Sequence, residues 1–144
     1  MSSISNPKQW VVLMLLEHRG IELLLDSLEA LAIDNNTIDA ISCIDVMVDF
    51  YVCHFQNEER IMTEVKYRHI IDHLSNHTLI LNILSDALAN YERDGNIDVS
   101  RLSSQLLLSH HQHVTEFDGP LTDFLEKGYY PPTYASSNER VPRF

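Results

Sequence analysis

Apolar side chains recur at steps of three and four residues along four segments of the chain, a spacing typical of one face of an α-helix. Each segment is long enough for a core helix, so we predict four helices of roughly 20 to 28 residues. The positions on the four stripes are Val11, Leu15, His18, Ile21, Leu25, Leu28 and Leu31; Ile44, Met47, Tyr51, His54, Glu58, Ile61 and Val65; Ile70, Leu74, His77, Leu81, Leu84 and Leu88; and Leu102, Leu106, His110, His113, Phe117, Leu121 and Phe124.

Polar breaks separate these segments at residues 33–37, 66–68 and 93–98. Asn6 followed by Pro7 is typical of a helix cap and a first helical turn. Because short breaks join antiparallel neighbours, the pattern predicts an all-α, antiparallel up-down four-helix bundle.

The C-terminal sequence GYYPPTYASSNERVPRF has no helical period. We therefore predict that residues 1–127 form the bundle and residues 128–144 an irregular C-terminal tail whose tyrosines suit docking.

Net charge and hydropathy restrict the classes of partner that the protein is expected to bind. The 144-residue chain has a net charge of −11, which repels nucleic acid and anionic lipid. Its longest apolar run, residues 10–16, is too short to span a membrane, and no signal-peptide pattern precedes it. We expect a cytoplasmic protein without nucleic-acid or membrane partners. Cys43 and Cys53 lie ten residues apart, too far to bond on one helix, and we interpret both as core thiols.

Each apolar stripe also carries at least one histidine. Burying unpaired imidazoles and carboxylates destabilises a helical core, whereas metal coordination satisfies them together. His54 and Glu58 are four residues apart, as are His73 and His77, so each pair shares one helix face. With His18, His113 and Asp118 these residues form a predicted metal-ligand set of five imidazoles and two carboxylates.

The spacing from His113 to Asp118 does not fit a regular helix. Five residues correspond to about 140° around the helix axis, so both side chains face inward only if a π-type bulge or an overwound turn intervenes. Gly119 and Pro120 follow directly, which favours a local distortion.

The donor set itself indicates the metal. It exceeds what one tetrahedral zinc ion needs, and mixed imidazole and carboxylate donors suit iron or manganese. If both carboxylates and a hydroxide bridge two octahedral ions, one position is left for a small ligand such as O₂.

The motifs HFQNEERIM, HLSNH and HVTEFD, together with Tyr67, resemble those of the bacterial hemerythrins. That family's pattern is a first-helix histidine, H-x3-E, H-x3-H and H-x4-D, and the resemblance spans residues 10–127. Departures include Ser109, where a tryptophan is common, and Arg68 in place of a proline.

The resemblance implies reversible O₂ binding at two non-haem iron ions (Fe²⁺/Fe³⁺) with a bridging oxo or hydroxo group. His73, His77 and His113 would then hold the coordinatively full iron, and His18 and His54 the open iron that takes O₂, NO, azide or another small ligand. Glu58 and Asp118 would bridge the two ions.

Three further histidines, His69, His110 and His111, lie near the predicted ligands in the sequence. His110 and His111 are alternatives to His113, and His111 with Glu116 repeats the H-x4-acid spacing. The register of the family resemblance, with Val114 after the histidine and an aspartate at 118, favours His113. We expect His69 to be a surface or capping residue.

We predict an O₂-binding protein for storage, delivery or scavenging, and not an enzyme. A first alternative is an O₂ or redox sensor, or an interaction module, that a protein partner reads through the bundle or the tail. A second is a di-iron oxidase, a peroxidase, an NO-handling protein or an iron donor. The Glu-x-x-His pairs of ferritin-like di-iron enzymes are absent from the sequence.

Overall fold

A computed structural model describes residues 6–128 of the chain, and this part folds as a helical bundle. Helix α1 spans Pro7–Ile33, α2 Thr37–Glu64, α3 Ile70–Asp94 and α4 Val99–His113. The fourth helical segment continues through a π-helical turn, a short helix α5 and a second π-helical turn, which are Val114–Asp118, Gly119–Asp123 and Phe124–Gly128. No β-strand occurs among the described residues.

Side-chain caps fix where three of these helices begin. Asn6, Asn36 and Asp98 each accept a hydrogen bond from a backbone N–H in the first turn of α1, α2 and α4, respectively. Gly95 ends α3 in the left-handed region, with φ of 68°, where a side chain would be strained. The connections between the helices, residues 34–36, 65–69 and 95–98, therefore overlap the three breaks that the sequence predicts.

The helices pack in the order of the chain. Helix α1 contacts α2 and α4, and α3 contacts the same two helices. Because loops of only a few residues join consecutive helices, neighbours run antiparallel. The predicted all-α four-helix bundle is confirmed.

Two apolar clusters fill the core, and a layer of polar side chains lies between them. The larger cluster includes Ile21, Leu28, Ile44, Met47, Tyr51, Phe55, Ile80, Leu84 and Leu106. The smaller one consists of Trp10, Val11, Met14, Ile61, Met62, Val65, Tyr67, Leu121 and Leu125. On α1, His18 lies between Met14 of the smaller cluster and Ile21 of the larger one. Apolar side chains therefore surround the polar layer along the bundle axis.

Two predictions about individual positions are wrong. Leu15 is 60% exposed, and Met14, one residue earlier, is buried instead. Both positions fit a step of three or four after Val11, so the period alone could not separate them. Cys53 is exposed and Cys43 is half-buried, so only Cys43 approaches the predicted core position; both thiols are free.

The described part of the chain, residues 6–128, contains no helix that is both long and apolar enough to cross a membrane. The predicted tail lies outside the described residues, apart from Gly128.

Candidate metal centre

Helices α2 and α3 each contribute two polar residues one turn apart to the bundle core. His54 and Glu58 come from α2, and His73 and His77 come from α3. All four are at most 2% exposed, because the four-residue spacing places each pair on the helix face that packs inward.

The remaining three residues come from α1 and from the distorted fourth segment. His18 lies on α1, His113 ends α4, and Asp118 ends the π-helical turn. The Gly119 N–H bonds to the Val114 carbonyl, five residues back, so the wider turn brings His113 and Asp118 onto the same side. The prediction of a π-type distortion at this point is confirmed, and the structure brings all seven predicted residues together in the core.

The two carboxylates divide the five imidazoles into two groups. We call His18 and His54 the two-imidazole side and His73, His77 and His113 the three-imidazole side. Glu58 Oε1 lies 2.8 Å from His54 Nε2, whereas Glu58 Oε2 lies 2.9 Å from His77 Nε2.

Asp118 divides its oxygens in the same way. Its Oδ2 atom lies 2.6 Å from His18 Nε2, and its Oδ1 atom lies 2.9 Å from His113 Nε2 and 3.0 Å from His73 Nε2. Each carboxylate thus presents one oxygen to each side, an arrangement suited to bridging two ions.

The donor atoms on each side are directed toward a shared position and are poorly aligned for hydrogen bonds with one another. His54 Nε2 and Glu58 Oε1 are 2.8 Å apart, yet neither atom forms an aligned hydrogen bond within the described residues; His113 Nε2 and Asp118 Oδ1, 2.9 Å apart, behave alike. Neighbouring donors about 2.1 Å from one ion lie about 3 Å apart, so these separations fit shared coordination. On each side, four donor atoms lie within 4.8 Å of one another. The residues therefore fit a pair of metal ions.

In the metal-free protein, the carboxylates and imidazoles of the cluster stabilise one another's charged forms. Burial raises the pKa of the Glu58 and Asp118 carboxyls, but the surrounding imidazoles outweigh burial and hold both well below their usual range. Burial likewise lowers the pKa of the imidazoles, and the carboxylates outweigh it, raising the pKa of His18 and His73 to about 9 and that of His54 to about 12. Without metal, protonated imidazoles supply the positive charge around the two carboxylates.

Outer hydrogen bonds orient three of the imidazoles. His54 Nδ1–H donates to Glu17 at 3.2 Å, His77 Nδ1–H to Glu59 at 3.1 Å, and His113 Nδ1–H to Asn76 at 2.6 Å. Since Nδ1 keeps its proton in these contacts, it is Nε2 that can lose a proton and present a lone pair to a metal ion.

The two sides differ in what surrounds them. The Phe55 ring stacks on His77 at 3.8 Å between centroids, and the Phe117 ring stacks on His113 at 5.8 Å. The imidazole of His110 instead lies edge-on to His18 at 6.1 Å. Phenyl rings thus stack on the three-imidazole side, whereas on the two-imidazole side Phe55 lies tilted against His54 at 5.7 Å and His110 lies edge-on to His18.

Burial distinguishes the three histidines outside the cluster, His69, His110 and His111. His111 and His69 are exposed, and His69 is the N-cap residue of α3, although its side chain makes no capping hydrogen bond. His110 is buried but belongs to neither group of candidate ligands. Its position on the fourth apolar stripe, one turn before His113, predicted that it is buried. Nothing in the sequence indicated that it lies outside both groups of candidate ligands.

Comparison with known proteins finds similarity to a bacteriohemerythrin. The bacteriohemerythrin of Methylococcus capsulatus (strain ATCC 33009 / NCIMB 11132 / Bath) is 24% identical over 107 residues, which cover 72% of this chain and 82% of the relative. At this level of identity, the chain is distantly similar to a hemerythrin. No protein-family model matches it, and no solved structure does either. The hemerythrin-like resemblance of the motifs is confirmed at this distance, and the buried His, Glu and Asp cluster agrees with it.

Proposed function

We propose that this hemerythrin-like protein holds two iron ions in the core cluster and binds O₂ reversibly, for storage, delivery or scavenging. The division of each carboxylate's oxygens between the two sides carries the proposal, because one ion could not use both oxygens of both carboxylates in this arrangement. The match to a bacteriohemerythrin supports the same reading.

The proposed roles follow from the donors on each side. His73, His77 and His113 would hold one ion, His18 and His54 the other, and Glu58 and Asp118 would bridge them. The two-imidazole side supplies fewer protein donors, so a small ligand would bind there. Bound iron would supply a redox couple and an exchangeable coordination position.

The residues around the cluster favour binding over oxidation chemistry. Five neutral imidazoles and only two carboxylates bring little negative charge, so they stabilise highly oxidised iron less well than carboxylate-rich sites do. Apolar residues such as Met14, Ile21 and Ile61, each at most 1% exposed, limit the access of water along the bundle. A secluded, imidazole-rich site suits reversible binding of a small molecule such as O₂.

The deciding experiment measures iron per chain and the visible spectrum of aerobically purified protein, then repeats the spectrum after anaerobic reduction and re-aeration. We expect about two iron ions per chain and a charge-transfer band that disappears on reduction and returns with O₂. A diferric spectrum that never responds to O₂ would refute reversible binding. A chain that takes up no iron, even after reconstitution with Fe²⁺, would refute the metal assignment.

A matched pair of variants ties the result to the cluster. His113→Leu removes a buried candidate ligand, and His111→Leu removes an exposed imidazole two residues away on the same helix. We expect the first variant to lose iron and the second to keep it. Equal iron content in both would contradict the assignment of His113.

We also propose the division into a bundle of residues 1–127 and an extension of residues 128–144, and a cytoplasmic location. Limited proteolysis of the iron-loaded protein tests the boundary: cleavage near residue 128 that leaves the spectrum unchanged is expected, and loss of the band on cleavage would contradict it.

A further inference from the structure

His110 is a buried imidazole that the proposed iron site does not use. It lies on α4 one turn before His113 and is 6% exposed. Its Nε2 atom has no hydrogen-bond partner among the described residues; the nearest carboxylate oxygen, Oε1 of Glu22, is 3.7 Å away on a half-exposed side chain. A buried polar atom left in this way destabilises the fold, and a leucine would avoid that cost.

Tyr51 pairs with His110 on its other edge. The Tyr51 hydroxyl oxygen lies 3.4 Å from His110 Nδ1, a long hydrogen bond, and Tyr51 is 1% exposed. If Tyr51 donates to Nδ1, the imidazole proton lies on Nε2 and is free to be donated. If Nδ1 carries the proton, His110 donates to the tyrosine oxygen and the Tyr51 O–H is free. Either tautomer leaves the pair with one spare donor.

The pair lies beside the two-imidazole side of the cluster. His110 is edge-on to His18 at 6.1 Å between ring centroids, and Tyr51 precedes His54 by three residues on α2. No such donor pair adjoins the three-imidazole side, where Phe55 and Phe117 stack on the imidazoles within the described chain. The spare donor is therefore on the side where fewer imidazoles are available to a metal ion.

We propose that His110 and Tyr51 form the polar wall of the small-ligand site, and that their spare donor selects ligands that accept a hydrogen bond, above all small anions. This inference rests on the proposed function, because it needs iron beside His18 and His54. His110 and Tyr51 are specificity-determining residues here and contribute no bond to the metal.

Azide, a small anion that accepts hydrogen bonds, is the probe. The diferric protein is titrated with azide for the unmodified chain, Tyr51→Phe and His110→Leu, with iron per chain measured on each sample. Tyr91→Phe, on α3, and His111→Leu, at an exposed position, are the matched controls. We expect both wall variants to keep about two iron ions, and at least the variant that removes the spare donor to bind azide about tenfold more weakly, the loss that follows from one hydrogen bond to a charged ligand. The controls should change azide binding less than about twofold.

Two additions keep the test decisive. His110→Gln retains an N–H donor of similar reach and should recover azide affinity to within about threefold of the unmodified chain. Binding of neutral NO to the diferrous protein should change less than about threefold in His110→Leu, because a neutral ligand gains less from the donor. A uniform loss for azide and NO would indicate general damage to the site and overturn the selectivity.

A measurement on metal-free protein needs no iron at all. The ¹⁵N chemical shifts of the His110 ring report which nitrogen carries the proton, and Tyr51→Phe should shift them, whereas Tyr91→Phe should not. Unchanged shifts would show that the pair does not form and would overturn the inference.

The remaining outcomes separate this inference from the proposed function. If His110→Leu loses about one iron ion per chain, His110 is a ligand and the wall is refuted while the iron site stands. If azide affinity is unchanged in both wall variants at full iron content, the wall is refuted alone. If the unmodified chain binds no iron, the proposed function and the wall both fail.

Discussion

The two sides of the cluster share the same pair of carboxylates but are built differently. On the three-imidazole side, His73 and His77 come from consecutive turns of one helix, and stacked phenyl rings cover two of the imidazoles. On the two-imidazole side, His18 and His54 come from separate helices, and His18 lies edge-on to the polar His110. Under the proposed function, the first side would hold its ion firmly and the second would exchange a ligand.

The contrast extends to what fixes each side in space. The distance between His18 and His54 depends on how α1 packs on α2. Glu17 on α1 accepts hydrogen bonds from His54 at 3.2 Å and from Asn57 at 2.7 Å, both on α2. A partly buried carboxylate thus ties the two helices together next to the proposed ligand site. The three-imidazole side needs no such tie between its two α3 residues, because the helix itself sets their spacing.

The largest expected effect comes from removing what the two sides share. Glu58→Gln should reduce iron from about two ions per chain to near none, because Glu58 contacts imidazoles on both sides and the amide is a poor bridge. Iron analysis of the purified variant, with circular dichroism as a check on folding, measures this. Glu64→Gln, at the exposed end of α2, is the control and should retain its iron. A folded Glu58→Gln protein with a full complement of iron would rule out a bridging role.

Removing one imidazole from each side should separate the two ions. His54→Ala leaves the two-imidazole side with one imidazole, so we expect about one iron ion per chain and no spectral response to O₂. His77→Ala leaves two imidazoles on its side and should retain more iron than His54→Ala. Iron content and O₂ response of both variants, measured together, test the comparison. Greater iron loss from His77→Ala would reverse our assignment of the weaker side.

Metal uptake should depend on pH. The pKa of His18 and of His73 is raised to about 9 in the metal-free protein, so both imidazoles are protonated at neutral pH. A protonated nitrogen cannot bind metal, so uptake must release protons, and apparent affinity should rise with pH by about tenfold per unit for each proton released. Anaerobic Fe²⁺ titrations between pH 6.5 and 9, with a pH indicator for released protons, measure both quantities. Affinity that stays constant or falls as pH rises would contradict the cationic state.

The smallest effects should come from the outer hydrogen bonds. Glu17→Gln and Glu59→Gln each neutralise the carboxylate that orients one imidazole, His54 and His77, respectively. Losing such a partner typically weakens metal binding by roughly 10- to 100-fold. We expect the larger loss for Glu17→Gln, because the Glu17 side chain is 16% exposed and that of Glu59 is 40% exposed and more screened by water. Competition against a chelator of known affinity measures the difference; equal losses would show that burial does not distinguish the two partners.

Much of the fold and of the candidate site was predictable because the signals are local. The helix breaks depend on nearby capping residues such as Asn6, Asn36 and Asp98, which the sequence places directly. The spacing of His54 and Glu58 follows from the helical repeat alone. The five-residue step to Asp118 predicted either a π-type bulge or an overwound turn, and the structure contains a π-helical turn there.

Other features depended on contacts between distant parts of the chain. Met14, not Leu15, faces the core because of how α1 rotates against its neighbours, and a period of three or four residues permits either position. His110 and His113 share the fourth stripe, yet only His113 reaches the carboxylates, and His110 meets Tyr51 of another helix instead.

The sequence by itself determined four amphipathic helices, their breaks and a set of seven inward-facing donors with hemerythrin-like spacing, because helical periodicity and capping act over a few residues. Only the tertiary structure decided which carboxylate oxygen meets which imidazole, which side phenyl rings cover and where His110 lies. Those properties arise where four helices pack together, and the rotation of one helix against another is set by the whole core.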